Sequence, residues 1–208
     1  MVKWGVIGTG TISTAFCDSI RYSKEGKLAA VASRSSKNLK PFSDKYSVDT
    51  YDSYDALLND SSIDAIYIGT PHNSHFDLSL KTLRSGKHLL CEKPMTMNST
   101  EAMILLNEAR GLNLFFMEAF MYRCHPLTHK MLELVKQEFS SQEVLIESSF
   151  GFTADVDEKH RLKNPELGGG SILDIGCYPL SMARLIAGTL LENSFADPIK
   201  ISASGELS

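Results

Sequence analysis

Three side chains of this sequence have the types that proton-transfer chemistry uses: Lys93, Tyr178 and Asp174. Lys93 lies in Glu92-Lys93-Pro94, directly after the apolar run HLLC. A lysine held by a proline-fixed turn at a strand end can hold a reacting oxygen or help move its proton; the same residue also suits a surface ion pair. Asp174 and Tyr178 are four positions apart in DIGCY, which puts them on one face of a helix. A tyrosine can give or take a proton if a nearby cation lowers its pKa from about 10. Lys93 is the candidate cation, and ordinary helix packing is the competing explanation for the Asp174–Tyr178 pair.

A second group suits a dinucleotide. Gly8-Thr9-Gly10-Thr11-Ile12-Ser13 follows a strand-like run and opens a helical one. Gly8 allows a tight turn, and Gly10 lets backbone approach a pyrophosphate. The helix N-terminus then offers free N–H groups and partial positive charge. Ser13 stands where glycine or alanine is usual, and is still small. At the end of the second strand, an acidic residue would bond the ribose 2′-hydroxyl of NAD. This chain has Ser33-Arg34-Ser35-Ser36-Lys37 there. Arg34 can pair with a 2′-phosphate bidentately, with Ser33 assisting, which favours NADP; a solvated basic loop is the alternative.

Thr70-Pro71-His72-Asn73-Ser74-His75 follows the third apolar run. Asn73 can reach a cofactor, or Ser74 can cap the next helix. His72 and His75 are three apart, but no third ligand has metal-site spacing, so no metal is expected. The candidate cofactor-binding set is Gly8, Thr9, Gly10, Thr11, Ile12, Ser33, Arg34, Thr70, Asn73, His75, Glu92 and Lys93. The candidate catalytic set is Lys93, Tyr178 and Asp174.

These residues need a frame. Residues 2–8, 28–33, 64–70, 88–92 and 113–119 read as buried strands, because they are nearly continuous apolar runs. Residues 11–22, a polar stretch through Phe42 and Tyr46, and residues 53–58, 74–84 and 99–110 read as helices. Ser99 is the expected cap of the last, with Gly86 and Gly111 as helix stops. Strands alternating with helices predict an α/β fold: a Rossmann doubly wound parallel sheet over residues 1–123. Residues 124–208 read as a partial α+β domain. It has a helix over 127–139, a strand over 144–152, a helix from about 171 to 187 and a strand over 199–206, with the two strands pairing.

The chain has 208 residues, 43% apolar and 22% charged, with a formal charge of −4. That balance suits a soluble globular protein and argues against a nucleic-acid partner, which would want a basic face. No apolar run approaches the ~18 residues of a membrane span, and with a strand expected from residue 2 no leader is expected. Cys17, Cys91, Cys124 and Cys177 are scattered in no zinc or C-x-x-C pattern, so a reducing, cytoplasmic setting is expected.

Taken in order, GVIGTGTI, the SR after the second strand, GTPHNSHF, CEKPM, FMEAF-x-x-R-x-H-P and GGGSILDIGCY resemble the glucose–fructose oxidoreductase / inositol dehydrogenase (Gfo/Idh/MocA) family over the whole chain. The branch most similar is that of dimeric dihydrodiol dehydrogenases and NADP-dependent D-xylose dehydrogenases. The resemblance implies that Lys93 and Tyr178 form the catalytic pair over the nicotinamide; Asp174 would then orient a substrate hydroxyl or stabilise the local charge network. It implies NADP as cofactor, a sugar or diol as substrate, a homodimer as an available assembly and a cis Lys93–Pro94 bond. Arg34 disfavours a relative that keeps NAD bound for glycoside cleavage. Family members continue well beyond residue 208, with a large open sheet. The chain is therefore expected to be the N-terminal part of such an enzyme, and a non-catalytic NADP-binding fragment is the alternative function.

Overall fold

Apolar runs too short to bury themselves must stack edge to edge and be covered on both faces, and the first half of the chain does this. The computed structural model describes residues 1–140 and 142–205. Its contacts divide the chain into two units, Met1–Ala119 and Phe120–Ser208; the sequence suggested a boundary at 123.

In the first unit, β1 (Val2–Ile7), β2 (Gly26–Ala32), β3 (Asp49–Tyr51), β4 (Ala65–Ile68), β5 (His88–Cys91) and β6 (Phe116–Glu118) form one sheet. The order is β3-β2-β1-β4-β5-β6, and every pairing is parallel. The helices are α1 (Thr11–Ile20), α2 (Ser36–Tyr46), α3 (Tyr54–Leu58), α4 (His75–Arg84) and α5 (Ser99–Gly111). Successive side chains of a strand point to opposite faces. Val6, Val31 and Tyr67 accordingly join Cys17, Leu39 and Phe42 in one core. Ile7, Ile66, Ile68 and Leu89 join Leu83 and Leu105 in the other. Each such fully buried aliphatic side chain contributes about 1.5–3 kcal/mol.

The strand β3 was not expected from the sequence. It is three residues long, polar and at the sheet edge, and so carries no apolar run. The cap of α5 also differs. Asn98, not Ser99, is the capping residue, accepting from the Glu101 N–H at 3.0 Å, while the Glu101 carboxylate reaches back to the Met97 N–H. Gly86, at φ +76°, does end α4, whereas α5 runs through Gly111 and turns at Asn113, at φ +54°.

The second unit holds α6 (Pro126–Phe139) and α7 (Cys177–Leu190), which pack together. His125 caps α6 by accepting the Leu127 N–H at 3.1 Å, and Pro126 starts the helix where an N–H would have no partner. A π-helical turn, Ile172–Gly176, leads into α7. The expected strands are not formed. Residues 144–152 and 199–205 carry no strand pairing, and Glu206 lies outside the described residues. The α+β expectation for this unit is thus corrected: its described residues form helices and irregular chain. A strand exists only where a partner edge satisfies its backbone, and neither run has one. Leu145, Phe150, Phe152, Ile199 and Ile201 are exposed, as expected of apolar residues lacking such cover. Among the described residues, no helix is long and apolar enough to cross a membrane.

Candidate active site

Register aligns the ends of the central strands. Ile7 pairs with Ala32 on one side and Ile68 on the other, and Ile68 pairs with Cys91. The next residues are Gly8, Ser33, Gly69 and Glu92, which therefore leave the sheet along one line at its carboxyl edge. This is where the strand order reverses, between β1 and β4, and where open α/β sheets bind ligands.

Gly8 has φ +104°, and a Cβ there would lie 2.8 Å from the Gly69 carbonyl oxygen. Gly10 is extended, at φ −79°, and a Cβ there would meet nothing within 4 Å. The first glycine is required by the fold; the second leaves open space before α1. Thr11 and Ile12 are exposed on the same turn. Ser13 is fully buried, and its hydroxyl donates to the Gly69 carbonyl at 3.3 Å. Serine thus serves as the small residue that lets α1 approach β4. Gly8→Ala should therefore destabilise the chain by about 1–3 kcal/mol in urea unfolding, because an L residue at that φ is strained. Gly10→Ala should unfold like the parent yet bind NADPH about tenfold more weakly, since its methyl stands where a pyrophosphate would approach.

At the end of β2, Ser33 is buried and its hydroxyl joins two loops. It accepts from Thr9 Oγ1 at 3.3 Å and from the Ser35 N–H at 3.2 Å. Arg34 is exposed, with its guanidinium 6.0 Å from the centre of the Tyr54 ring. Tyr54, on α3, was not anticipated from the sequence. After β4, the turn His72–Ser74 leaves Asn73 exposed at the edge. The Ser74 hydroxyl lies 2.7 Å from Thr70 Oγ1, so that residue braces the loop rather than capping α4 with its side chain.

The turn carrying Lys93 is held from several sides. The Lys93–Pro94 peptide is cis. The Tyr67 hydroxyl donates to Glu92 Oε1 at 2.7 Å, and the Met95 N–H donates to Glu118 Oε1 at 2.8 Å. Burial first, then the Glu92 charge, pushes the Tyr67 phenol far above its ordinary range, so it remains a donor. Glu92 thereby anchors the turn through Oε1.

His75 was expected to touch cofactor, and this is corrected. It is 0% exposed, with Nδ1 2.8 Å from the Pro94 carbonyl and Nε2 2.8 Å from the Thr70 carbonyl. Residue 75 begins α4, whose first turn points inward here, so the ring faces backbone rather than the open edge. Burial holds its pKa below the usual histidine range, against the pull of the two carbonyls. With the folded value lowered, the unfolded chain takes the proton more readily. The stability this gives is complete above about pH 6.5 and is lost as pH falls through the lower folded value. The melting temperature should be steady from about pH 8 to 7 and fall toward pH 5, with a shallower fall in His75→Gln.

In the second unit, Tyr178 is half-buried near the start of α7, ringed by Phe120, Tyr122 and Phe150 at centroid distances of 5.4, 6.0 and 5.5 Å. Its hydroxyl lies 3.9 Å from Met121 Sδ. The Tyr122 hydroxyl donates to Ser181 Oγ at 2.8 Å, fixing one wall of this aromatic cup. Asp174 is buried, and Oδ1 accepts from Arg161 at 3.1 Å. Lys93 and Asp174–Tyr178 thus belong to different units, each built by its own contacts. Among the described residues, no three metal-ligating side chains cluster.

Residues 2–120 match the model of the Gfo/Idh/MocA family, described as an oxidoreductase family with an NAD-binding Rossmann fold. The chain belongs to this family. It is 37% identical over 189 residues to "D-xylose 1-dehydrogenase (NADP(+)) 2" of Haloferax volcanii, covering 90% of this chain and 58% of that protein. It is 36% identical over 187 residues to trans-1,2-dihydrobenzene-1,2-diol dehydrogenase of Xenopus laevis, covering 88% and 56%. Among solved structures, a variant of the 3-ketoreductase KijD10 from Actinomadura kijaniata, with TDP-benzene and NADP, superposes with a TM-score of 0.80 at 30% identity, covering 90% and 57%. The chain spans a little over half the length of these relatives.

Proposed function

We propose that this chain carries the nucleotide site and the proton-transfer residues of an NADP-dependent dehydrogenase acting on a hydroxyl-bearing carbon of a sugar or trans-dihydrodiol. The observation that carries this reading is the alignment of Gly8–Gly10, Ser33–Arg34 and the Lys93 turn along one sheet edge. The open space at Gly10 and the absence of a carboxylate beside Arg34 fit a dinucleotide with a 2′-phosphate. Gly8, Thr9, Gly10, Thr11 and Ile12 would hold the pyrophosphate side, Ser33 and Arg34 the 2′-phosphate, and Thr70 and Asn73 the nicotinamide side. When bound, the nicotinamide accepts or supplies the hydride. Tyr178 takes or gives the hydroxyl proton, Lys93 holds the reacting oxygen, and Asp174 orients a substrate hydroxyl or stabilises the local charge network with Arg161. The relatives' names and the scattered thiols support the substrate class and a reducing compartment.

A second reading, an NADP-binding chain without turnover, is favoured by the exposed apolar residues of the second unit. Titration with NADPH and NADH by fluorescence, followed by assays with D-xylose and a trans-dihydrodiol, separates the two. Tight NADPH binding with turnover supports the first reading and binding alone the second; equal affinity for both cofactors sinks the NADP assignment.

A further inference from the structure

We propose that His75 is a positioning residue that fixes the Lys93 turn to the start of α4 through the Pro94 carbonyl. The proposal rests on Lys93 being the reacting lysine. A histidine sealed at 0% exposure is costly unless its nitrogens are bonded. Both of its partners are backbone carbonyls of the edge loops, Pro94 and Thr70, each at 2.8 Å. One is adjacent to Lys93 and the other begins the turn that presents Asn73. The ring therefore stands between the two loops, and the carbonyl it holds is the one that receives its proton. A neutral imidazole has one N–H and donates to one carbonyl at a time; the imidazolium donates to both. Glu92 favours the proton and Lys93 opposes it, while the His72 ring stands with its centroid 5.8 Å away. Holding the Lys93 turn requires the proton on Nδ1, toward Pro94.

The turn has other supports, through Tyr67–Glu92 and Met95–Glu118, so loss of the brace loosens it without removing it. Two variants divide the two bonds. The amide nitrogen of His75→Asn reaches about as far as Nδ1, and that of His75→Gln about as far as Nε2. In the whole chain, Lys93 should be labelled by trinitrobenzenesulfonate at nearly the parent rate in His75→Asn. In His75→Gln it should be labelled about tenfold faster, as loss of one buried hydrogen bond allows. Equal Lys93 labelling in parent and both variants, or rates that simply follow melting temperature, would overturn the brace. On the unmodified chain, nitrogen-15 NMR of labelled histidine should show Nδ1 protonated at neutral pH; a bare Nδ1 overturns the proposal even if neither variant folds. None of these readouts needs cofactor or turnover. A chain that fails to bind NADPH therefore sinks the dehydrogenase reading and leaves this test intact, whereas unchanged labelling with normal NADPH binding sinks the brace alone.

Discussion

Arg34→Asp should lower NADPH affinity about a hundredfold and raise the ratio of NADH to NADPH binding by at least that factor. A charge-assisted hydrogen bond to a phosphate contributes about 1.5–3 kcal/mol, and the new carboxylate adds repulsion toward a 2′-phosphate while offering the ribose hydroxyls of NAD an acceptor. The location makes the experiment clean. Arg34 is exposed and contacts only the face of Tyr54 among the interactions described, so its replacement should leave the melting temperature within about one degree of the parent. Ser33 beneath it stays tied to Thr9 and Ser35, which keeps the loop in place. Fluorescence titration with both cofactors is the measurement. An unchanged preference would mean that Arg34 is a solvated loop residue and that selectivity resides elsewhere.

Lys93→Met and Tyr178→Phe should each lower turnover by about 10²–10⁴-fold, with NADPH affinity changed far less. Methionine keeps the length and packing of the lysine stem but removes its charge. Phenylalanine keeps the ring contacts with Phe120, Tyr122 and Phe150 while deleting the hydroxyl. If the two side chains act on one proton, the double variant should be no slower than the worse single one, because residues working as a unit are not additive. Additive losses would place them in separate steps. Loss of cofactor binding in Tyr178→Phe would assign that tyrosine to the fold of the nucleotide site rather than to proton transfer.

The first unit was largely legible in the sequence because a parallel sheet buried on both faces leaves continuous apolar runs, and the glycine turn sits at the first of them. Asp49–Tyr51 was not, since a three-residue polar edge strand is defined by its neighbour rather than by its own residues. In the second unit the two helices were legible, and the two strands were misread for the opposite reason. VLIESSFGF has the composition of a strand, but composition supplies no partner. At the candidate site, Gly8, Gly10, Arg34 and Lys93 stand out by position after a strand, and the register brings their turns to one sheet edge. The supports could not. Tyr67 and Glu118 look like core and strand-end residues until the turn is seen to hang from them. His75 looked like a ligand because a polar residue at the ligand edge usually faces it, and only three-dimensional placement shows its ring turned inward.

The sheet order also governs how the chain acquires its structure during synthesis. β1 is made first and ends in the centre, with β2 on one side and β4 on the other. Its second edge cannot be covered until residues 65–68 have emerged, and β4 in turn waits for β5. A ribosome-bound chain halted after α2 thus has β1 bare on its β4 side and β2 bare on its β3 side, edges open to mispairing until the later strands arrive. Pulling force on an arrested nascent chain should accordingly remain low through β2 and α2, and rise only once β4 has cleared the exit tunnel.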